Sequence, residues 1–268
     1  MPKSSSRDTK PELFPGERRR RLIWWLYSPY QMFVFIPWLA GTTVVMGILA
    51  AALAKFSPRA AFHFGTAWSW MLCRMNWTRV EVEGRENARK GQSYIVMSNH
   101  QSHFDILAFY GHWGRQFRWV MKEELRKVPG LGWYCDAGGH VFIDRSSHEK
   151  AVASLKAATK VLSGGISVMI FPEGTRSRDG RIQPFKKGGF VMAEETGLPI
   201  LPVSISGTYR VLPGHSFLML PGSVRIRIHE PIDPKDFQGD REGLMESVRQ
   251  AILSGLSPWE RGEEDPSV

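Results

Sequence analysis

The sequence predicts an α/β fold in which a mostly parallel or mixed central sheet is flanked by helices and preceded by an N-terminal membrane-associated helical hairpin. Short apolar or alternating segments recur along residues 78–257, and stretches with helical periodicity separate them, which is typical of this class. Residues 22–54 contain no charged side chain, which predicts the hairpin. A chain of 268 residues is long enough to bury one sizeable core.

Charge and composition divide the chain into four segments. Residues 1–21 are expected to form a basic mobile tail, and residues 22–77 a membrane-associated helical segment. Residues 78–257 are expected to form the α/β domain, followed by a second mobile tail at 258–268. Both tails are polar and contain proline, which disfavours a packed core.

The apolar segment is too long for one perpendicular helix. A straight helix over residues 22–54 would reach roughly 50 Å, against a hydrocarbon core of about 30 Å. Pro29, Pro37 and Gly41 are therefore expected to break or bend it, and residues 56–77 offer a return arm. A re-entrant or interfacial hairpin and a set of spanning helices both fit this pattern. A buried helix pair in a soluble protein is the third reading.

The strands and helices of the domain follow from local periodicity. Strands are expected at 79–83, 94–97, 117–121, 141–143, 166–171, 200–206 and 224–228, and helices at 146–164, 188–196 and 240–253. The first of these helices begins with a capping box, Ser146 and Glu149. The last strand alternates clearly and is expected at an edge. Sites in such sheets gather at the carboxyl ends of strands.

The net charge and the cysteines narrow the class of partner. The formal charge is +9, and the basic residues near the N-terminus flank the apolar segment, which favours an anionic membrane. No zinc-finger spacing or RNA-binding signature supports nucleic acid. Two cysteines outside any motif argue against a disulfide scaffold and fit a reducing compartment.

An imidazole and a carboxylate follow the apolar run 94–97. His100 precedes Asp105 by five residues, and residues at that spacing lie about 140° apart in one helix. His100 is therefore expected in the turn, with Asp105 one turn inside the following helix, where the carboxylate orients a general base. Ser98 and Ser102 raise the alternative of a serine hydrolase, but no Gly-x-Ser-x-Gly elbow is present. A metal site built with His103 lacks a recognised ligand spacing.

The run 166–171 ends in Phe171-Pro172-Glu173-Gly174-Thr175-Arg176-Ser177, which suits an anion. The Arg176 guanidinium matches phosphate in bidentate fashion, Gly174 allows close backbone approach, and Thr175 adds a hydroxyl. Lys122 and Lys186 are weaker basic candidates. The alternative is a plain turn with a surface ion pair.

Together these motifs resemble the glycerolipid acyltransferase family. The His-four-residues-Asp signature is matched by His100 and Asp105, and the Phe-Pro-Glu-Gly-Thr-Arg-Ser block is matched in full at 171–177. Two weaker blocks are matched by Gly139 to Arg145 and by Leu198 to Val203. The resemblance covers roughly residues 80–228, so the N-terminal region lies outside it.

The resemblance implies transfer of a fatty acyl group from acyl-CoA or acyl carrier protein to the sn-2 hydroxyl of 1-acylglycerol 3-phosphate, giving phosphatidic acid. It implies His100 as the general base in a direct attack, oriented by Asp105, with no metal or other cofactor. The acceptor's phosphate and glycerol would be bound by Glu173, Gly174, Thr175, Arg176 and Arg145. Backbone N–H groups near Gly174 are expected as the oxyanion hole that this chemistry requires.

Two alternative functions are also compatible with the sequence. One is acylation of another lysophospholipid or lysolipid, and the other is an inactive lipid-binding membrane protein of the same fold. The expected partners are a lysophospholipid acceptor, the acyl donor and the bilayer, without nucleic acid. The catalytic domain is expected on the cytoplasmic face of the membrane, because basic flanks are retained there.

Overall fold

The computed structural model describes residues 17–144, 165–214, 216 and 218–263, with side chains from Leu22 onward. Its strands are β1 (Thr78–Glu83), β2 (Ile95–Ser98), β3 (Phe117–Lys122), β4 (Val141–Ile143), β5 (Ser167–Ile170), β6 (Ile200–Ser206) and β7 (Gly222–Ile228). Its helices are α1 (Glu17–Tyr30), α2 (Ile36–Ala54), α3 (Pro58–Met75), α4 (Phe104–His112), α5 (Leu131–Ala137), α6 (Gly188–Thr196), α7 (Thr208–Val211), α8 (Arg241–Ser254) and α9 (Pro258–Arg261). Arg145 and the helix expected at 146–164 lie outside the described residues.

The seven strands form one mixed sheet, as the sequence predicts. The strand order is β1-β7-β6-β2-β5-β3-β4, and every neighbouring pair is parallel except β6 with β7. The edge position expected for residues 224–228 is wrong, because β1 pairs outside β7. The alternation arises because one face of β7 is covered, and Val224, Ile226 and Ile228 are buried on that face. An alternating pattern indicates which face of a strand is buried but does not determine the position of the strand in the sheet.

The two faces of the sheet are covered by different helices. Val96 belongs to the core that includes side chains of α3 and α4, whereas Ile95 and Met97 belong to the core that includes side chains of α6 and α8. Successive strand residues point to opposite faces, and β2 is buried along its whole length. The carboxyl end of this central strand is where the first motif begins.

The N-terminal helices form the expected hairpin, but without the expected breaks. A π-helical turn at Gln31–Phe35 joins α1 to α2, so one helix runs past Pro29, Pro37 and Gly41. A π-helical turn changes the local hydrogen-bond register. It lies between Pro29 and Pro37, each of which lacks an N–H and so cannot make the regular helical hydrogen bond. Helix α3 then returns and packs against α2.

The long helix is apolar and mostly uncovered in the described structure. Its span Leu22–Ala54 has the length and composition to cross a bilayer, and only 11% of its apolar window is buried. Large apolar side chains lie on its open surface. Examples are Trp25, Leu26, Phe33, Val45 and Ile48.

The C-terminal end of the described chain is packed, which differs from the tail expected from residue 258. Helix α9 begins with a capping box in which Ser257 and Glu260 bond each other's backbone. The Glu260 side chain is buried. One polar residue of this segment, Glu260, is thus buried and hydrogen-bonded, while Glu263 is exposed.

Candidate active site

His100 and Asp105 meet as the sequence predicts. His100 lies in the turn after β2, and Asp105 lies in the first turn of α4. The imidazole Nδ1 is 2.7 Å from Asp105 Oδ2. The aspartate is fully buried, whereas the histidine side chain retains 13% of its exposure. The pair therefore presents one edge of an imidazole to solvent while the carboxylate stays inside.

The turn wraps around the Asp105 carboxylate. The backbone N–H groups of Gln101 and Ser102 also donate to Oδ2, each at 2.8 Å. With Nδ1–H donating to the same oxygen, Nε2 of His100 carries the lone pair. This tautomer leaves Nε2 able to accept a proton from a substrate hydroxyl.

Asn99 anchors the start of this turn to β6. Its side-chain amide donates to the Ile205 carbonyl at 2.8 Å, and its Oδ1 accepts the Ile205 N–H at 2.9 Å. The buried amide thus supplies both hydrogen bonds that a continuing strand would have made. This contact ends β2 and directs His100 out of the sheet.

The two motifs lie against each other through the backbone of His100. Its N–H donates to Glu173 Oε1 at 2.7 Å, and its carbonyl accepts the Ser177 N–H at 2.8 Å. Both polar main-chain groups of His100 are therefore held by the 171–177 turn. These contacts place the His100 turn and the 171–177 turn side by side at the carboxyl ends of β2 and β5.

Glu173 lies beneath the site rather than in it. It is 3% exposed, and its second oxygen accepts the Gln183 N–H at 3.0 Å. Burial raises its pKa to about 8, although the two backbone donors oppose the shift. Its carboxylate holds two backbone N–H groups, one at each oxygen, and its expected contact with the acceptor stays a prediction.

Phe171 supports the imidazole from the side. Its ring stacks on His100 with centroids 3.8 Å apart and planes 8° apart, and Trp119 stacks behind it. Together with the Asp105 bond, this stacking limits rotation of the imidazole. Sequence reasoning assigned Phe171 no role. Phe171 follows β5 directly and lies beside the end of β2, and this position could have indicated a contact with His100.

Basic groups lie on the solvent side of the 171–177 turn. Gly174 has a φ of +75°, and a Cβ there would lie 2.8 Å from the Lys186 ammonium nitrogen, which passes over it. Arg176 is half-buried and Thr175 is exposed. Desolvation, and then the charge of Arg176, lower the pKa of the exposed His103. Two cations thus lie at this turn, Arg176 within it and Lys186 over Gly174, and Lys186 was only a weak candidate from sequence.

Two further points concern the oxyanion hole and metal binding. The Gly174 N–H donates to the Phe171 carbonyl at 3.0 Å, so this group of the turn is not free for an oxyanion. Among the described residues, no group of three or more His, Cys, Asp or Glu side chains is arranged to hold a metal ion. Arg145, the remaining acceptor candidate, lies outside the described residues.

Comparison with known proteins fits this arrangement. Residues 79–206 match the family model described as Acyltransferase. A 1-acyl-sn-glycerol-3-phosphate acyltransferase of Limnanthes douglasii is 31% identical over 81% of this chain and 78% of its own. One of Chlamydomonas reinhardtii is 32% identical over 81% of this chain and 64% of its own. The first motif, the second motif and β6 all lie within the matched region.

A solved structure gives the same result. The crystal structure of the 1-acyl-sn-glycerophosphate acyltransferase PlsC from Thermotoga maritima has 31% identity and a TM-score of 0.73, over 92% of this chain and 95% of that one. The chain thus belongs to the acyltransferase family. It spans only about half to two thirds of the length of the Chlamydomonas, Brassica and Arabidopsis relatives.

Proposed function

We propose that this protein transfers a fatty acyl group to the sn-2 hydroxyl of 1-acylglycerol 3-phosphate, giving phosphatidic acid. The observation that carries the proposal is the His100–Asp105 pair, because the backbone of His100 is hydrogen-bonded to the turn that carries Arg176. A base and an anion cradle side by side suit an acceptor that carries a hydroxyl and a phosphate. The names of the relatives support the same acceptor.

The reaction is a direct attack. Nε2 of His100 takes the proton of the acceptor hydroxyl as its oxygen bonds to the thioester carbonyl carbon. The resulting tetrahedral intermediate collapses, the carbon–sulfur bond breaks, and the imidazolium returns the proton to the departing thiolate. Asp105 stabilises the imidazolium and holds its orientation. No cofactor takes part in this scheme.

Arg176, assisted by Lys186, binds the acceptor phosphate, and Thr175 adds a hydroxyl donor. A guanidinium holds two phosphate oxygens at once, which orients the glycerol. Gly174 keeps the turn open, because its positive φ disfavours a side chain there. Arg145 is a further phosphate ligand on the basis of family resemblance.

The protein works at the membrane surface. The acceptor and the product are lipids. In this proposal the exposed apolar helix enters the bilayer and anchors the catalytic domain to it. The acyl donor, acyl-CoA or acyl carrier protein, is water-soluble and cytosolic, so the domain lies on the cytoplasmic face. The basic N-terminal residues agree with that orientation.

A panel of acceptors tests the proposal. Purified protein in detergent is given labelled acyl-CoA or acyl carrier protein with 1-acylglycerol 3-phosphate, lysophosphatidylcholine or 1-monoacylglycerol. We expect the phosphomonoester to be the fastest acceptor and monoacylglycerol the slowest. Faster acylation of lysophosphatidylcholine would assign the protein to another lysolipid, and no acylation of any acceptor would favour a lipid-binding protein.

A further inference from the structure

A buried carboxylate outside the matched family region reaches the catalytic turn. Glu260 in α9 is 2% exposed and lies beyond residues 79–206. Its Oε1 accepts the Gln101 side-chain amide at 3.0 Å and the Gly207 N–H at 2.8 Å. Its Oε2 accepts from Ser206 Oγ and from the N–H and Oγ of Ser257. Five donors thus converge on one side chain.

Gln101 is the residue that follows His100, and it is held at three points, one of which is a 3.5 Å bond from the Thr208 hydroxyl to its Oε1. Its N–H donates to Asp105 Oδ2, while its side chain donates to Glu260 Oε1. The His100 turn therefore lies between two buried carboxylates. A shift of the Gln101 side chain moves the backbone that carries the imidazole.

The same helix also contacts the chain behind the second motif. The Glu260 carbonyl accepts the Ile182 N–H at 3.0 Å, next to Gln183, whose N–H holds Glu173. The Trp259 ring lies so close to Gly180 that a Cβ there would approach within 2.4 Å. Helix α9 thus bridges the segments that carry His100 and Glu173.

We propose that Glu260 is a positioning residue for acyl transfer, which orients His100 by holding the Gln101 side chain. The expected fall in kcat rests on the proposed function. The expected loosening of the His100 turn does not depend on that function. A misplacement of about 1 Å in a catalytic group can lower a rate about 10²-fold, and catalytic groups need placement to about 0.5 Å. The proposal is that release of the Gln101 side chain permits displacements of about this size.

Two substitutions test the link. Gln101→Met removes the amide but leaves Glu260 its four other donors, so it spares the packing of α9. Glu260→Gln keeps the volume but presents an NH2 group to backbone N–H donors. Glu263→Gln is the matched control, because Glu263 pairs with Arg261 at the surface.

The kinetic readout is the division between kcat and KM for 1-acylglycerol 3-phosphate. We expect kcat per folded molecule to fall about 10- to 100-fold in Gln101→Met and Glu260→Gln, with KM within about twofold, because the phosphate ligands lie on another turn. The double variant is expected to be no slower than the slower single variant, since both remove one link. Glu263→Gln is expected to match the wild type.

The second readout is hydrogen–deuterium exchange of the peptide that contains residues 98–105, which needs no turnover. We expect faster exchange at the Gln101 and Ser102 amides in both variants, with no change in α8. Unchanged exchange and unchanged kcat in Gln101→Met would overturn the inference, whatever the fate of Glu260→Gln. Faster exchange in a protein that acylates no acceptor would uphold the link and reject the proposed function.

Discussion

His100 is restrained in four ways, once by the following helix and three times by residues of the 171–177 turn. Asp105 bonds its ring, Phe171 stacks on its face, and Glu173 and Ser177 bond its main chain. A general base gains most when it is held in the orientation that the reaction needs. The Nε2 edge is thus the least restrained part of the residue, as the proposed general base requires.

Arg176 is expected to act in binding rather than in the chemical step. Loss of a charged hydrogen bond costs about 1.5–3 kcal/mol, so Arg176→Ala is expected to raise KM for 1-acylglycerol 3-phosphate about 10- to 100-fold, with kcat within about threefold. Arg178→Ala, an exposed arginine in the same loop, is the control. A loss of kcat with unchanged KM in Arg176→Ala would contradict a binding role.

At the scale of elements, Glu173 connects the turns after β2 and β5, and its protonation affects stability. Its pKa is raised from 4.5 to about 8 by burial. A raised carboxyl pKa stabilises the folded state at low pH, and this stabilisation is lost as the pH rises through about 8. The wild-type protein is therefore expected to lose up to about 1.4 kcal/mol of unfolding free energy per pH unit between pH 5 and 8 from this group.

Glu173→Gln removes this dependence. The variant also places one NH2 group against a backbone N–H, which costs about 1–3 kcal/mol, so it is expected to be the less stable protein at pH 5. The gap to the wild type is then expected to narrow as the pH rises to 8. Glu195→Gln, an exposed carboxylate of α6, controls for the loss of one negative charge. Thermal unfolding in detergent measures the difference in stability between the wild type and Glu173→Gln. A difference that increases as the pH rises would contradict this account.

Sequence reasoning predicted the elements better than their connections. The strands at 94–97 and 200–206 follow from local apolar runs, and the His100–Asp105 contact follows from helical geometry. The place of β7 inside the sheet and the Glu260–Gln101 bond join residues far apart in the chain, so no local pattern contains them. The capping box at Ser257 and Glu260 was readable as a helix start, but its buried partners were not.

At the scale of the whole molecule, the exposed apolar helix predicts attachment to lipid. Burial of a large apolar side chain stabilises binding by about 1.5–3 kcal/mol, and a charge there opposes it. Phe33 and Ile48 are 76% and 50% exposed, so the pair Phe33→Asp and Ile48→Asp is expected to lower vesicle binding at least 10-fold. The segment boundaries expected at 21 and 77 stay predictions, whereas the helix at Pro258–Arg261 replaces the start of the expected C-terminal tail.

Co-sedimentation with phosphatidylglycerol-containing vesicles measures this attachment. The pair Gln92→Asp and Gln250→Asp, both exposed in the catalytic domain, adds the same two negative charges there and is expected to bind as the wild type does. Equal loss of binding in the control would assign the effect to net charge. Unchanged binding of the double variant would remove the lipid-facing role of the helix.

The most direct measurement of the central claim is the turnover of His100→Ala with labelled acyl donor and 1-acylglycerol 3-phosphate. A positioned base contributes about 10²–10⁴-fold, so kcat is expected to fall by that factor while binding of the acceptor is largely retained. His63→Gln, an exposed histidine of α3, is expected to keep the wild-type rate. A wild-type kcat in folded His100→Ala would contradict the account, because no imidazole would then be needed to take the proton.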